Sequence, residues 1–191
     1  AEYYDIKNEY DYASGSFDKY NGIEGKFVHN RSILYIRGKF WLVLDHLETD
    51  RARNIDFLWH WNPKCEVSIN NNNKVITAFN EDELMKIIPV KSENIQAVII
   101  KGQTEPFPQG WYSEEYNKAE PSPVTVVSAE ISNDVNYVWI LYPDKKSSEK
   151  VIQTEIIQED NEGVNLNVLV EGREQYNIFI PYRNKNFVKI R

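Results

Sequence analysis

From His29 to Trp61 the chain reads as one strand after another, and that pattern restricts the fold more than any other feature. Ser32-Ile33-Leu34-Tyr35-Ile36 and Phe40-Trp41-Leu42-Val43-Leu44 are runs of β-branched, aromatic and apolar residues parted only by Arg37-Gly38-Lys39. Such side chains suit a pleated, half-buried surface. Gly38 can supply the positive φ of a tight hairpin turn. A two-residue turn at Gly38-Lys39 pairs Arg37 with Phe40 and sets Asp45 opposite Ser32. Asp45 then lies on the sheet face away from His29, and only a longer loop or a bulge would bring the two together. From Ile55 the period is two: Ile55, Phe57, Trp59 and Trp61 form a core face, which turns Asp56, Leu58 and His60 outward or into a cleft.

The same rhythm continues on both sides. Residues 1–26 are polar and rich in tyrosine, a pattern of short strands and loops whose rings suit an interface or an ordinary sheet edge. Residues 65–69 and 74–79 alternate around the turn Asn70 to Asn73, predicting a hairpin. β-Branching and Pro89 favour a strand over a helical turn at 83–90, and 97–100 is another strand. A long irregular segment, Gly102 to Pro123, carries Gln109-Gly110-Trp111-Tyr112-Ser113; loops of this length are often functional. Strands follow at 124–130 and 137–142, flanking a turn at Asn133-Asp134, and then at 151–157, 164–170, 176–180 and 187–190. No amphipathic helix of useful length, no fixed repeat and no linker interrupts them. The expectation is all-β: a single domain, 1–191, built as a large antiparallel β-sandwich of about a dozen strands with little or no helix.

Composition narrows the function. Apolar residues make up 41% of the chain and aromatics 13%, enough for a globular core. No apolar run approaches the roughly 18 residues of a membrane span. The opening Ala1-Glu2-Tyr3-Tyr4 has no signal-peptide pattern, so a mature form or an excised piece is expected. The formal charge of −7 argues against a nucleic-acid partner. Arg31, Arg37, Lys39, Arg51 and Arg53 form one candidate basic cluster for a polyanion, or else solvated strand ends. A single cysteine, Cys65, excludes an internal disulfide framework and has no credible histidine partner as a nucleophile; packing is its expected role. Phosphate loops and dinucleotide fingerprints are missing.

What chemistry remains lies in the histidines. His29, Asp45 and His60 sit on three adjacent strand segments, and His46 could replace one of them. Two imidazoles and a carboxylate are a common set for a divalent metal, zinc foremost, with a position open to water or substrate. Surface or hydrogen-bonded histidines are the competing reading.

The pattern His29-x-Arg31-x-Ile33-Leu34-Tyr35-x-x-x-Phe40-Trp41-Leu42-Val43-x-Asp45, followed by Phe57-Leu58-Trp59-His60-Trp61, resembles the C-terminal domain of heparinase II/III-like polysaccharide lyases. Asp11-Tyr12-Ala13-Ser14-Gly15-Ser16-Phe17 and Gly110-Trp111-Tyr112-Ser113 match the same domain, and the likeness covers most of residues 10–130. The resemblance implies a β-sandwich that packs on an N-terminal (α/α) toroid. It also implies β-elimination at a uronic acid of an acidic polysaccharide, such as heparin or heparan sulfate, alginate or a bacterial exopolysaccharide. The carboxylate charge must be countered before the weakly acidic C5 proton can leave. In this likeness His29, Asp45 and His60 match metal ligands, and a zinc ion is expected at the domain interface. A catalytic histidine usually stands two positions before the first ligand. Here that position is Phe27, which leaves His29 as the fallback catalytic residue. Arg31, Trp111 and Tyr112 are candidate sugar contacts, through bidentate pairing and ring stacking. The implied whole is a bacterial, periplasmic or extracellular lyase, with this piece inactive alone. A non-catalytic carbohydrate-binding or structural β-sandwich is the alternative.

Overall fold

A computed structural model describes residues 3–147, 150–182 and 188–191. Its centre is one eight-stranded antiparallel sheet formed by β1 (Tyr3–Ile6), β2 (Tyr10–Phe17), β3 (Phe27–Ile36), β4 (Phe40–Thr49), β6 (Glu66–Ile69), β7 (Ile76–Asn80), β8 (Glu83–Pro89) and β13 (Val135–Lys145), in the order β1-β2-β3-β4-β13-β8-β7-β6. A three-stranded sheet, β5-β12-β9, comprises β5 (Arg53–His60), β9 (Ile95–Lys101) and β12 (Pro123–Ile131). A four-stranded meander holds β14 (Ile152–Glu159), β15 (Gly163–Val170), β16 (Glu174–Pro181) and β17 (Lys189–Ile190). The short hairpin β10 (Trp111–Tyr112) and β11 (Glu120–Pro121) sits within the long loop. The described residues thus form seventeen strands and no helix, an all-β antiparallel sandwich as expected. The excess over a dozen comes largely from two-residue and four-residue strands, too short to show a period.

Period-two alternation lets the large sheet serve two cores. On one face Leu34, Phe40, Leu42, Leu44, Val138 and Ile140 pack against Val164, Leu166, Val168, Ile178 and Ile180 of the four-stranded sheet. On the other, Val43, Leu47, Ile76, Ile87 and Trp139 meet Phe57, Ile95, Val127, Ala129 and Ile131 of the three-stranded sheet. The turn at Asn133-Asp134 does not close a hairpin: β12 and β13 lie in different layers. The Asp134 carboxylate accepts from the Thr49 amide at 2.9 Å where the chain passes between them.

The β3–β4 register differs from the expected one. The loop is three residues, Arg37-Gly38-Lys39: Ile36 pairs with Phe40, Gly38 takes φ 69°, and the Lys39 amide bonds the Ile36 carbonyl at 2.9 Å. One extra loop residue shifts every pair by one, so Arg31 stands directly across from Asp45 and His29 across from Leu47. His29, Arg31 and Asp45 therefore share a face without a bulge.

Candidate functional site

Four strands build a polar cluster at the rim of the covered half of the large sheet. Across one row run Gly15 of β2, Arg31 of β3, Asp45 of β4 and Tyr137 of β13; the next carries Phe17, His29, Leu47 and Val135. The Asp45 side chain is 0% exposed and accepts from every side. Its Oδ1 lies 2.6 Å from His29 Nε2 and 2.6 Å from Arg31 Nε, while Oδ2 accepts from an Arg31 terminal amino group at 3.0 Å and from Trp139 Nε1 at 3.1 Å. Burial on its own would raise the Asp45 pKa. The hydrogen bonds from His29 and Arg31, and the Arg31 charge, outweigh it and hold the carboxyl below its ordinary value. Trp139 is itself wedged against Phe57 and Trp59, so one end of the cluster is fixed by the aromatic core.

The other end is open. Toward β1 and β2 the three-stranded sheet no longer covers the large one, and Tyr4, Ile6, Phe17 and Ile33 are exposed there on the face that carries His29 and Arg31. The Arg31 side chain is 42% exposed and that of His29 27%. With Nε2 donating to the Asp45 carboxylate, the Nδ1 edge of His29 is turned away from that bond. The second terminal amino group of Arg31 has no partner among the described residues.

The expected zinc set is gathered only in part. His29 and Asp45 meet, but His60 is exposed on the outer face of β5 with Asp56 and Leu58, while Phe57 and Trp59 face inward. His46 faces the opposite core. It stacks on Tyr182 with centroids 4.1 Å apart, and its Nδ1 lies 2.8 Å from Asn136 Oδ1. The three histidines thus occupy three different surfaces. No group of three or more His, Cys, Asp or Glu among the described residues is placed to hold a metal. The Asp45 oxygens are committed to four donor nitrogens, two of them on one guanidinium, and a cation beside that guanidinium would be repelled. As arranged, His29, Asp45 and His60 do not fit zinc.

The remaining expectations resolve individually. Arg31, Arg37, Lys39, Arg51 and Arg53 are each paired with a carboxylate: Arg31 with Asp45, Arg37 with Asp11, Lys39 with Glu174, Arg51 with Glu24 and Asp50, and Arg53 with the same Asp50. Phe27 lies against Tyr20 and under the Arg53 guanidinium. Cys65 is a half-buried free thiol. Trp111 and Tyr112 stand on the exposed hairpin, where Trp111 Nε1 donates to the Gln103 carbonyl at 2.7 Å. No described contact joins them to His29 or Arg31. Trp139, which completes the Asp45 shell from 94 residues away, carries no local sequence signal that could have revealed it.

The family described as "Heparinase II/III-like, C-terminal" matches residues 3–155. The chain belongs to this family. Solved structures agree in fold. The heparan sulfate lyase HepC from Pedobacter heparinus superposes with a TM-score of 0.81 at 18% identity, covering 97% of this chain and 28% of that one. A heparinase III gene product gives 0.76 at 17% identity, covering 95% and 27%. A further heparinase III gives 0.73 at 12%, covering 95% and 27%. The chain thus spans somewhat over a quarter of the length of these lyases. No curated protein sequence matches.

Proposed function

We propose that this chain is the C-terminal sandwich of a polysaccharide lyase that cleaves a uronic-acid-containing, heparan-sulfate-like glycan by β-elimination. The observation that carries the reading is the Asp45–His29–Arg31 cluster, buried at one end and open at the other on an uncovered sheet face. β-Elimination needs two things near the uronate: a countercharge for the carboxylate and groups that move protons. Arg31 offers a guanidinium whose free amino group can pair with a sugar carboxylate or sulfate while its other edge is held by Asp45. His29, aligned by the same carboxylate, presents its second ring nitrogen beside it as the proton-transfer group.

Family membership and the partial span of the relatives support a parent with a further domain that completes the active site, the (α/α) toroid. The exposed apolar row Tyr4, Ile6 and Ile33 beside the cluster suits such a neighbour. In this reading the piece alone is inactive and the parent acts in the periplasm or outside the cell. Trp111 and Tyr112 then serve as a separate sugar-stacking surface.

The test is ultraviolet absorbance of the unsaturated uronate formed by the full-length protein on heparan sulfate, heparin and alginate. His29→Ala and Arg31→Gln should each cut kcat/KM by about 100-fold, the size expected for loss of a proton-transfer or charge-pairing group. Absence of unsaturated product from every glycan, with the folded full-length protein, refutes the proposal.

A further inference from the structure

We propose that Arg31 is a built-in substitute for a metal ion: its guanidinium is the cation around which Asp45 and His29 are organised, and this domain orders the cluster without bound metal. Four observations meet here. The Asp45 carboxylate is wholly buried, a position where an anion persists only beside a positive charge. Arg31 supplies that charge in the fork geometry, Nε to one oxygen and a terminal amino group to the other, at 2.6 and 3.0 Å. The remaining lone pairs are taken by His29 Nε2 and Trp139 Nε1, so no oxygen is left to coordinate. The third expected ligand, His60, is turned to solvent on another sheet.

The substitution follows from the register. Arg31 is the direct cross-strand partner of Asp45, so its Cβ starts within about 5.5 Å of the aspartate's, and the planar head reaches the carboxylate. A divalent ion at the same place would require several oxygen or nitrogen donors converging on a point. Among the described residues no group of three or more His, Cys, Asp or Glu side chains does so. An arginine needs only one carboxylate and carries its charge at every physiological pH. The cluster therefore keeps His29 in one orientation whatever the metal supply, and Arg31 is a positioning residue for it.

The experiment uses the full-length protein, purified with and without chelator, and reads metal content by mass spectrometry and Tm by scanning calorimetry. For the wild type, an unchanged Tm after chelation and identical metal content in wild type and Asp45→Asn are expected. Arg31→Ala should lower the Tm of the transition containing this domain by about 10 °C. Arg31→Lys, which keeps the charge and loses the fork, should recover part of that loss. Should Arg31→Ala fail to fold, Arg31→Lys and the wild-type metal content carry the test. One equivalent of zinc or another divalent ion in the wild type, lost in Asp45→Asn or His29→Gln with a fall in Tm on chelation, overturns the proposal. So does an Arg31→Ala variant with unchanged Tm.

Discussion

Removing one partner of the Arg31–Asp45 pair should cost very different amounts depending on which partner is left behind. Asp45 is completely buried, whereas the Arg31 side chain is 42% exposed. Arg31→Ala leaves a buried carboxylate with only His29 and Trp139 as donors and no guanidinium, and breaking a buried pair in this way costs about 3–5 kcal/mol. Asp45→Asn strands a guanidinium that can swing into solvent, and the new amide oxygen can still accept from Trp139 or His29. The loss is then the two-bond Arg31 fork, part of which water restores to the exposed guanidinium, leaving a net cost of about one charge-assisted hydrogen bond, ~1.5–3 kcal/mol. The assay is urea unfolding followed by tryptophan fluorescence, with Trp139 and Trp59 in the core as reporters. The pH dependence separates the two variants further. Wild-type Asp45 has a folded pKa below its ordinary 3.8, so its contribution is complete above that value and fades as pH falls through it. In Arg31→Ala one of the two lowering partners is gone, and His29 alone opposes the raising effect of burial. The deficit of that variant should therefore shrink on acidification, and the wild-type and variant stability curves should converge. An Asp45→Asn cost equal to or above that of Arg31→Ala, or an Arg31→Ala cost below about 1 kcal/mol, refutes the reasoning.

Two further outcomes follow from side chains elsewhere. Tyr10, Tyr176 and Tyr182 are each pushed up to about 12, chiefly by burial, with added carboxylate partners Asp5, Glu174 and Glu159. Their folded pKa values are raised, so their contribution is intact below pH 10 and lost as pH climbs toward 12; spectrophotometric tyrosinate titration should lag that of the unfolded chain, and coincident curves would contradict it. A Cβ at Gly163 would land on the Ile180 carbonyl oxygen and the Phe179 ring, so Gly163→Ala should destabilise the β15–β16 pairing by about 2 kcal/mol or more, read as a lower urea midpoint.

Much of the architecture was legible because alternation is a local signal. Phe57, Trp59 and Trp61 read as an inward face, and that pattern already turned His60 outward. The resemblance matched His60 to a ligand, whereas the alternation placed it on the outer face of β5, where its side chain is exposed. The β3–β4 register went astray for a countable reason: Arg37-Gly38-Lys39 accommodates a two- or a three-residue loop, and one residue decides whether Asp45 meets Ser32 or Arg31. Which strands stack in which layer was not legible at all. β12 and β13 are neighbours in sequence and read alike, yet belong to different sheets, and only packing of Val127 or Val138 against distant partners distinguishes them. Trp139 on Asp45 belongs to the same class of long-range fact.

β4 and β13 give alternate side chains to opposite cores: Leu42 and Ile140 go one way, Val43 and Trp139 the other. They act as a party wall between two rooms. Neither room can be emptied without stripping one side of that wall, so the outer layers are tied to a common fate although they never touch through these residues. A lesion placed deep in the four-stranded meander, far from His29, would thus be felt at the histidine through the two strands that both halves hold in common.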